Sequence, residues 1–340
     1  MYNLIQYAQE NTVMIYPEFL KPGDTIGICA PSAGVGRKLE SFDRSLAVLK
    51  ENGWKIRETA SVRINSVRSA SPAERAAELK ELFADPDIDF AACAAGGDFL
   101  YEILPYVDWE FIAAHPKWLM GMSDPTSLLF TLTAKYDLGT VYGMNAGSFD
   151  TEPFHPYMQC CLDLISGKNT VQHSYDLISS NEPFSDEPEH FDRPSRWEST
   201  AGDITVEGRC IGGCADVLKD LIGTEYDGMK SFSERYASEG IILFLDNFAL
   251  SAETFYLTLL QMRYAGWLKH VKTVVLGRTL LPSSGTGMTY EEALQRALPD
   301  IPALFNADFG HTKPCMTLIN GAYAYLSCID GKAELSFALK

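Results

Sequence analysis

The chain has 340 residues, with 28 lysines and arginines against 45 aspartates and glutamates, so its formal net charge is −17 with neutral histidines. This excess of acid argues against a protein that binds the phosphate backbone of a nucleic acid, because such proteins present a basic face. With 46% hydrophobic and 21% charged residues, the composition is that of a globular protein, and the length predicts about two domains.

The sequence indicates a cytoplasmic protein with reduced thiols. Its eight cysteines are scattered through apolar stretches without the spacing of a disulfide framework. The first residues lack the basic start and apolar core of a signal peptide, and no run approaches the roughly 18 apolar residues that span a bilayer. We therefore expect a soluble chain that is neither secreted nor bound to a membrane.

The first half of the chain alternates short apolar runs with segments of helical periodicity. Parallel neighbouring strands need crossover connections, so this alternation predicts a mostly parallel, doubly wound α/β sheet. The predicted strands are residues 24–30, 54–58, 88–95, 118–121 and 140–143, and the clearest helices between them are residues 39–50, 72–83 and 124–135.

The periodicity disappears between residues 166 and 202, where proline, serine and acidic residues are frequent. This composition predicts a linker between an N-terminal domain of residues 1–165 and a C-terminal domain of residues 203–340. Its lone Trp197 is either an aromatic lid over a substrate or a hydrophobic pin that fixes the linker. The predicted elements that follow are a glycine turn at 208–213, a helix at 214–222, a strand at 241–245, a helix at 251–265, a strand at 273–276, and antiparallel strands within 318–339 around an Asp330-Gly331 turn.

Ligands of open α/β sheets bind beyond the carboxyl ends of the strands, so the residues at those ends are the first candidates for chemistry. Ser123 lies in a tight strand-to-helix turn, the geometry of a nucleophile elbow, where free N–H groups at the helix start would favour an oxyanion. Alternatively, Ser123 or Asp124 only caps the helix. Gly96 and Gly97 follow the neighbouring strand and form either an oxyanion hole or a plain tight turn.

A catalytic serine also needs a base and an acid that orients it. Of six histidines, His311 alone lies in a loop held against an apolar run, and we expect the others at the surface. Asp246 closes an apolar strand, where a carboxylate needs a partner or a cleft, although it could instead cap the following helix. Cys93 would be an alternative thiol nucleophile, but its place inside an apolar strand predicts a buried cysteine that only fills space in the core.

The spacing of cysteines and histidines fits no zinc site, and the glycines match neither a dinucleotide fingerprint nor a P-loop. We therefore expect no metal ion and no organic cofactor.

Five stretches, in this order, resemble the LD-carboxypeptidase family of serine peptidases, including its microcin C immunity (MccF-like) branch; they are residues 21–34, 95–124, 208–224, 240–247 and 309–311. The resemblance implies a flavodoxin-like or amidotransferase-like N-terminal domain, a C-terminal α/β domain with a small barrel-like sheet, and an active site between them. It also implies a homodimer.

By position, Ser123 matches the family's nucleophile and His311 its general base. Asp246 matches the acid of the triad, although the family normally has glutamate there. The backbone N–H groups of Gly97 and Asp124 match the oxyanion hole.

We expect Gly96, Asp98 and Trp197 to contact the substrate. The resemblance predicts a carboxypeptidase or amidase that cleaves the L,D-bond before the terminal D-alanine of a muropeptide. One alternative is an MccF-like hydrolase of peptidyl- or aminoacyl-nucleotides, for which a stacking Trp197 would suit a base. Another is a relative that binds such molecules without catalysis, which Asp246 in place of the usual glutamate and Ala95 in place of a common arginine favour.

Overall fold

The structure is a computed structural model that describes residues 13–340, in one sheet of six strands, one of eight and one of two. The elements of the first half are β1 (Thr25–Cys29), α1 (Leu39–Glu51), β2 (Lys55–Glu58), α2 (Pro72–Ala84), β3 (Phe90–Cys93), a 3₁₀ helix (Leu100–Tyr106), α3 (Trp109–Ala114), β4 (Trp118–Gly121), α4 (Thr126–Tyr136), β5 (Thr140–Tyr142), a 3₁₀ turn (Ala146–Ser148) and α5 (Pro156–Ile165).

The first five strands are parallel and lie in the order β2-β1-β3-β4-β5, which is the flavodoxin-like order. This confirms the predicted doubly wound sheet. The helix starts follow local sequence rules: α2, for example, begins with a capping box between Ser71 and Glu74 and has Pro72 in its first turn. The carboxyl ends of β1, β3, β4 and β5 lie at one edge of the sheet, where ligands of such folds bind.

The second half contributes all eight strands of the larger sheet. Its elements are β6 (Val171–His173), β7 (Leu177–Ser179), β8 (Phe191–Pro194), β9 (Glu198–Ser199), β10 (Ile204–Cys214), α6 (Ala215–Leu221), α7 (Met229–Arg235), β11 (Ile241–Asp246), α8 (Ala252–Tyr264), β12 (Val271–Gly277), α9 (Tyr290–Ala297), β13 (Ala303–Ala307), β14 (Leu318–Asn320), β15 (Tyr323–Ile329) and β16 (Lys332–Ala338).

The eight strands of this sheet lie in the order β6-β16-β15-β10-β11-β12-β13-β9, and the four from β10 to β13 are parallel. The predicted hairpin is present as β15 and β16, with Asp330 and Gly331 both at positive φ in its turn. Between residues 13 and 340 no pairing joins β6 to β9. The barrel-like closure is therefore not confirmed.

The segment of residues 166–202 is part of the larger sheet rather than a free tether. Its strand β6 pairs with β16, and β9 pairs with β13. Conversely, β14, which belongs to the second half of the chain, pairs with β5 of the first sheet. The paired strands β6 and β9 have only two or three residues, too few to show a periodicity in sequence. The predicted domain boundaries stay a prediction.

The predicted glycine turn at residues 208–213 is wrong, because these residues continue β10. A side chain at Gly213 would begin only 2.4 Å from Thr126 Cγ2, so glycine allows β10 to approach the start of α4. All residues of α4 from Thr126 to Ala134 are buried, and Phe130 stacks on Trp267 of the second half at 5.0 Å. Helix α4, which directly follows the predicted nucleophile, is thus fixed between the two sheets.

Among residues 13–340, no helix combines the length and the apolar character that crossing a bilayer requires.

Candidate active site

Ser123 lies directly after β4 in a strained turn. Its φ is 72°, in the left-handed region that residues other than glycine rarely adopt, at a cost of about 1–3 kcal/mol. Its carbonyl accepts the N–H of Thr126 at 2.9 Å as α4 begins, and its own N–H points to the hydroxyl of Tyr142 at 3.5 Å. This is the strand-to-helix geometry of a nucleophile elbow.

Neighbouring side chains hold this turn in place. The amide of Asn145 accepts the N–H of Met122 at 3.1 Å and donates to its carbonyl at 3.3 Å. The buried Asp124 carboxylate accepts the N–H of Leu100 at 2.8 Å and the hydroxyl of Ser32. Burial raises the pKa of Asp124, and these two donors oppose that rise. Asp124 therefore connects the elbow to the loops after β1 and β3.

The predicted oxyanion donors, Gly97 and Asp124, line the same cleft as Ser123. A side chain at Gly96 would begin 3.2 Å from Ser123 Oγ, so the loop after β3 touches the serine. Within residues 13–340, the backbone N–H groups of Gly97 and Asp124 donate to no other group. Two N–H groups without partners next to a hydroxyl could bind a developing oxyanion.

His311 and Asp246 meet at the carboxyl ends of the parallel strands of the larger sheet. Asp246 ends β11 and is fully buried, and His311 lies in the loop after β13 with 12% of its side chain exposed. Asp246 Oδ2 is 2.8 Å from His311 Nδ1 and accepts the hydroxyl of Tyr142 at 2.6 Å. The ring nitrogen is not aligned for a regular hydrogen bond, so the contact is a close electrostatic approach of the imidazole to the carboxylate.

Burial of His311 and the nearby Asp246 carboxylate shift the pKa of the His311 imidazole in opposite directions. Burial disfavours the charged ring and lowers the pKa of His311, but the carboxylates of Asp246 and, to a smaller extent, Asp216 together raise it by more, so the net pKa lies above the ordinary value. Burial, together with the Asp246 carboxylate, also holds the pKa of Tyr142 well above its usual range. Tyr142 therefore stays a neutral hydrogen-bond donor to Asp246.

Ser123 and His311 line the same cleft, which has a volume of about 540 Å³ and lies between the two sheets. No hydrogen bond joins Ser123 to His311 in the part of the chain that the structure describes. The cleft is lined by Gly96, Gly97, Asp98, Tyr101, Met122, Ser123, Asp124, Ser127, Asn145, Cys214, Asp216, Val217, Asp220, Phe248 and His311.

Two family models match the chain: the LD-carboxypeptidase N-terminal domain over residues 26–143 and the LD-carboxypeptidase C-terminal domain over residues 207–326. The chain belongs to the LD-carboxypeptidase family. This confirms the resemblance read from the sequence and places the chain among hydrolases of the peptidase class. The first match contains Ser123, and the second contains Asp246 and His311.

Individual relatives of the LD-carboxypeptidase family cover nearly the whole chain. A carboxypeptidase homologue of Vibrio cholerae is 29% identical over 320 residues, which are 89% of this chain and 92% of that protein. The microcin C7 self-immunity protein MccF of Escherichia coli is 30% identical over 318 residues, 88% of this chain and 89% of that protein.

Solved structures of MccF-like proteins share the fold. An MccF-like protein from Bacillus anthracis aligns with a TM-score of 0.82 at 26% identity, over 95% of this chain and 99% of that chain. MccF in complex with aspartyl sulfamoyl adenosine aligns with a TM-score of 0.79 at 26% identity, over 95% of this chain and 98% of that chain.

The aspartate at position 246 reaches the imidazole although it is one methylene shorter than the glutamate usual in LD-carboxypeptidases. The adjacent Gly310 explains how. A side chain on Gly310 would begin 2.0 Å from Asp246 Oδ1, so the carboxylate occupies the space that glycine leaves free.

We expect Gly310→Ala to destabilise the fold by about 2–4 kcal/mol and to lower activity, because the new methyl group adds a clash with Asp246 to an unfavourable φ of 94°. Thermal unfolding and kcat/KM check this. Gly287→Ala is the matched control, since Gly287 has a φ of 84° but nothing within 4 Å of an added side chain. Equal losses in the two variants would contradict a role of Gly310 in seating Asp246.

Trp197 requires a correction. The predicted substrate contact is buried, with 2% of the residue exposed, and its indole donates to Asp308 Oδ2 at 2.8 Å. It does not line the cleft, so it acts as the hydrophobic pin of the alternative interpretation. Gly96 and Asp98 do line the cleft.

Cys93 is fully buried within β3, and contact with Cys29, together with burial, raises the pKa of its thiol.

Several residues around Ser123 and His311 were not predicted from the sequence, among them Tyr142, Asn145, Phe248 and Cys214. Tyr142 ends β5 and Asn145 follows it, at the same sheet edge as Ser123. Phe248 packs against His311 with ring centroids 4.8 Å apart, and Cys214 ends β10 beside Asp246. Their place at or just after the carboxyl end of a parallel strand could have indicated Tyr142, Asn145 and Cys214 as residues of the site.

Cys214, Asp246 and His311 offer a sulfur, an oxygen and a nitrogen atom that lie within 4.8 Å of one another. Such donors suit zinc. Because the same carboxylate and imidazole would form the catalytic pair, a metal ion bound here would compete with the triad. Burial, together with Asp246, holds the pKa of the Cys214 thiol well above its usual range, so this cysteine is not an activated nucleophile.

Proposed function

We propose that the chain is a serine-type carboxypeptidase in which Ser123 is the nucleophile, His311 the general base and Asp246 the orienting acid. The observation that carries this proposal is the convergence of three distant segments: a strained serine and a histidine line one cleft, and a buried carboxylate lies 2.8 Å from that histidine. This is the arrangement of a nucleophile, its base and the group that orients the base.

In the proposed mechanism, Ser123 Oγ attacks the scissile carbonyl while the ring nitrogen of His311 that does not face Asp246 takes the hydroxyl proton. The N–H groups of Gly97 and Asp124 bind the oxyanion of the tetrahedral intermediate. His311 then protonates the leaving amine, which departs and leaves an acyl group on Ser123. Water, deprotonated by the same imidazole, hydrolyses that ester.

The proposed substrate is a muropeptide, cleaved at the L,D-bond before its terminal D-alanine. The match to both LD-carboxypeptidase domains supports it. The second candidate is a peptidyl- or aminoacyl-nucleotide, as in the MccF-like branch. One observation favours this candidate: the half-exposed ring of Phe248 lines the cleft beside His311, where a nucleobase could stack.

The deciding experiment incubates the protein separately with a muropeptide tetrapeptide and with an aminoacyl-sulfamoyl adenosine. Release of D-alanine supports the first candidate, and release of the amino acid from the nucleotide supports the second. A fluorophosphonate probe tests the non-catalytic alternative: labelling of the native protein that is lost in Ser123→Ala supports an enzyme. Absence of both cleavage and labelling would support a binding protein.

A cytoplasmic location and a homodimeric state remain predictions. Fractionation of the source cells and sedimentation of the purified chain would test them.

A further inference from the structure

The active-site cleft carries acidic side chains and, among the residues described, no lysine or arginine. Asp216 accepts the N–H groups of Phe248 at 2.9 Å and Ala249 at 3.0 Å, and Asp220 pairs with Lys219 at 2.6 Å. Of the other two aspartates in the lining, Asp124 is buried, and Asp98 is exposed and forms no ion pair within residues 13–340. The negative charges of Asp98, Asp216 and Asp220 repel the carboxylate of a ligand in the cleft.

A carboxypeptidase substrate nevertheless has a free carboxylate on the residue that is cleaved off. That carboxylate is two bonds from the scissile nitrogen, so it must lie close to Ser123. Within residues 13–340 the lining of the cleft offers it no lysine or arginine, so such a cationic partner has to come from an adjoining surface.

A second pocket of about 450 Å³ adjoins this cleft. It shares Gly96 and Asn145 with the cleft, and Gly96 touches the serine hydroxyl. Its charged lining has the opposite sign, with Arg37, Lys38 and Lys313 against Asp150. The two pockets therefore adjoin at Gly96 and Asn145 and make up a groove whose one end is lined mainly by basic side chains and whose other end is lined by acidic ones.

The cations of this second pocket differ in how far acids already neutralise them. Lys313 Nζ lies 2.6 Å from Glu189, and Lys38 Nζ lies 3.5 Å from Asp186. Asp150 is itself engaged by Arg44 at 3.4 Å and by Ser41. Arg37 is exposed and has no acidic partner in the part of the chain that the structure describes.

We propose that this basic pocket, lined by Arg37, Lys38 and Lys313, is the site for the carboxylate of the residue that the enzyme releases. The planar guanidinium of Arg37 can form two parallel hydrogen bonds with a carboxylate, and Lys313 and Lys38 add positive charge around it. Repulsion from Asp98 at the other end of the groove fixes the direction in which the peptide lies. The inference rests on the proposed function and specifies the end of its substrate.

The test compares kcat/KM for a muropeptide tetrapeptide with a free terminal carboxylate and for the same peptide with a terminal amide. The native enzyme should prefer the acid, and Arg37→Ala should lower kcat/KM for the acid by about tenfold to a hundredfold, the range of a charged hydrogen bond. The value for the amide should change little, and Arg37→Lys should retain part of the preference because it keeps the charge.

Arg57→Ala is the matched control, since it removes the same charge from an arginine that pairs with Asp85 on another surface. It should leave the ratio of acid to amide unchanged. Equal cleavage of acid and amide by the native enzyme, or a preference that survives in Arg37→Ala, would overturn the proposal. Weaker binding of adenosine monophosphate in Arg37→Ala, with an unchanged ratio of acid to amide, would assign the pocket to a phosphate and also overturn it.

Binding measurements separate this inference from the proposed function. Calorimetry on Ser123→Ala gives Kd for the acid and the amide without turnover. If the native protein cleaves neither peptide, but Ser123→Ala binds the acid more tightly through Arg37, the hydrolase proposal fails and the carboxylate site stands. If both peptides are cleaved equally and Arg37 has no effect, the carboxylate site fails and the hydrolase stands.

Discussion

Replacing Ser123 with alanine is expected to lower kcat by about 10⁴-fold or more while leaving the fold intact. The hydroxyl forms no hydrogen bond that the fold needs, since the contacts that hold the elbow run through the backbone of Ser123 and through Asn145 and Asp124. Turnover of the cleaved substrate and the circular dichroism spectrum measure the two parts of this prediction. An active Ser123→Ala would assign the serine to helix capping instead.

Ser123→Gly adds an independent measurement of the elbow. Glycine adopts a φ of 72° without strain, so this variant should be inactive but more stable than Ser123→Ala by about 1 kcal/mol. The matched control is Ser127→Ala. Ser127 is buried in the first turn of α4 and lines the same cleft, and its hydroxyl makes no hydrogen bond within residues 13–340, so its loss should preserve most of kcat.

The first sheet could be predicted from the sequence because its signals are local. Each buried strand is a short apolar run followed by a helix with its own start and stop residues, as at Ser71 and Pro72. Ser123 could be predicted for the same reason, since an elbow occupies consecutive residues. The parallel order then follows from the crossover connections.

The second half could be predicted less well because its contacts join distant residues. Strand β6 is defined by its pairing with β16, more than 150 residues later along the chain. The buried indole of Trp197 donates a hydrogen bond to Asp308, which is also distant in sequence. The proximity of Cys214 to His311 likewise results from the register of β10 and β11 and the loop after β13. No spacing along the chain reports such an approach. The glycines at 212 and 213 suggested a turn although they serve close packing.

Asp246→Asn should lower kcat/KM by about 10²–10⁴-fold, because asparagine cannot hold the imidazole in the tautomer that accepts the serine proton. It should also move the pH dependence. Asp246 raises the pKa of His311 and burial lowers it, so removing the carboxylate leaves burial dominant. Since the neutral ring is the active base, the rising limb of kcat/KM should shift to lower pH. An unchanged limb would show that Asp246 does not act on the catalytic base.

Asp246→Glu tests whether the site is built for the shorter acid. Asp246 is fully buried, with Tyr142 at 2.6 Å, His311 at 2.8 Å and Gly310 against its other oxygen, so one more methylene has no space. We expect a loss of about 1–3 kcal/mol in the free energy of unfolding and reduced kcat, although the charge is retained. Because the pKa of His311 should stay raised in this variant, its pH profile should keep the native limb, unlike that of Asp246→Asn. A glutamate variant as active and as stable as the native enzyme would contradict the idea that Gly310 and Asp246 fit each other.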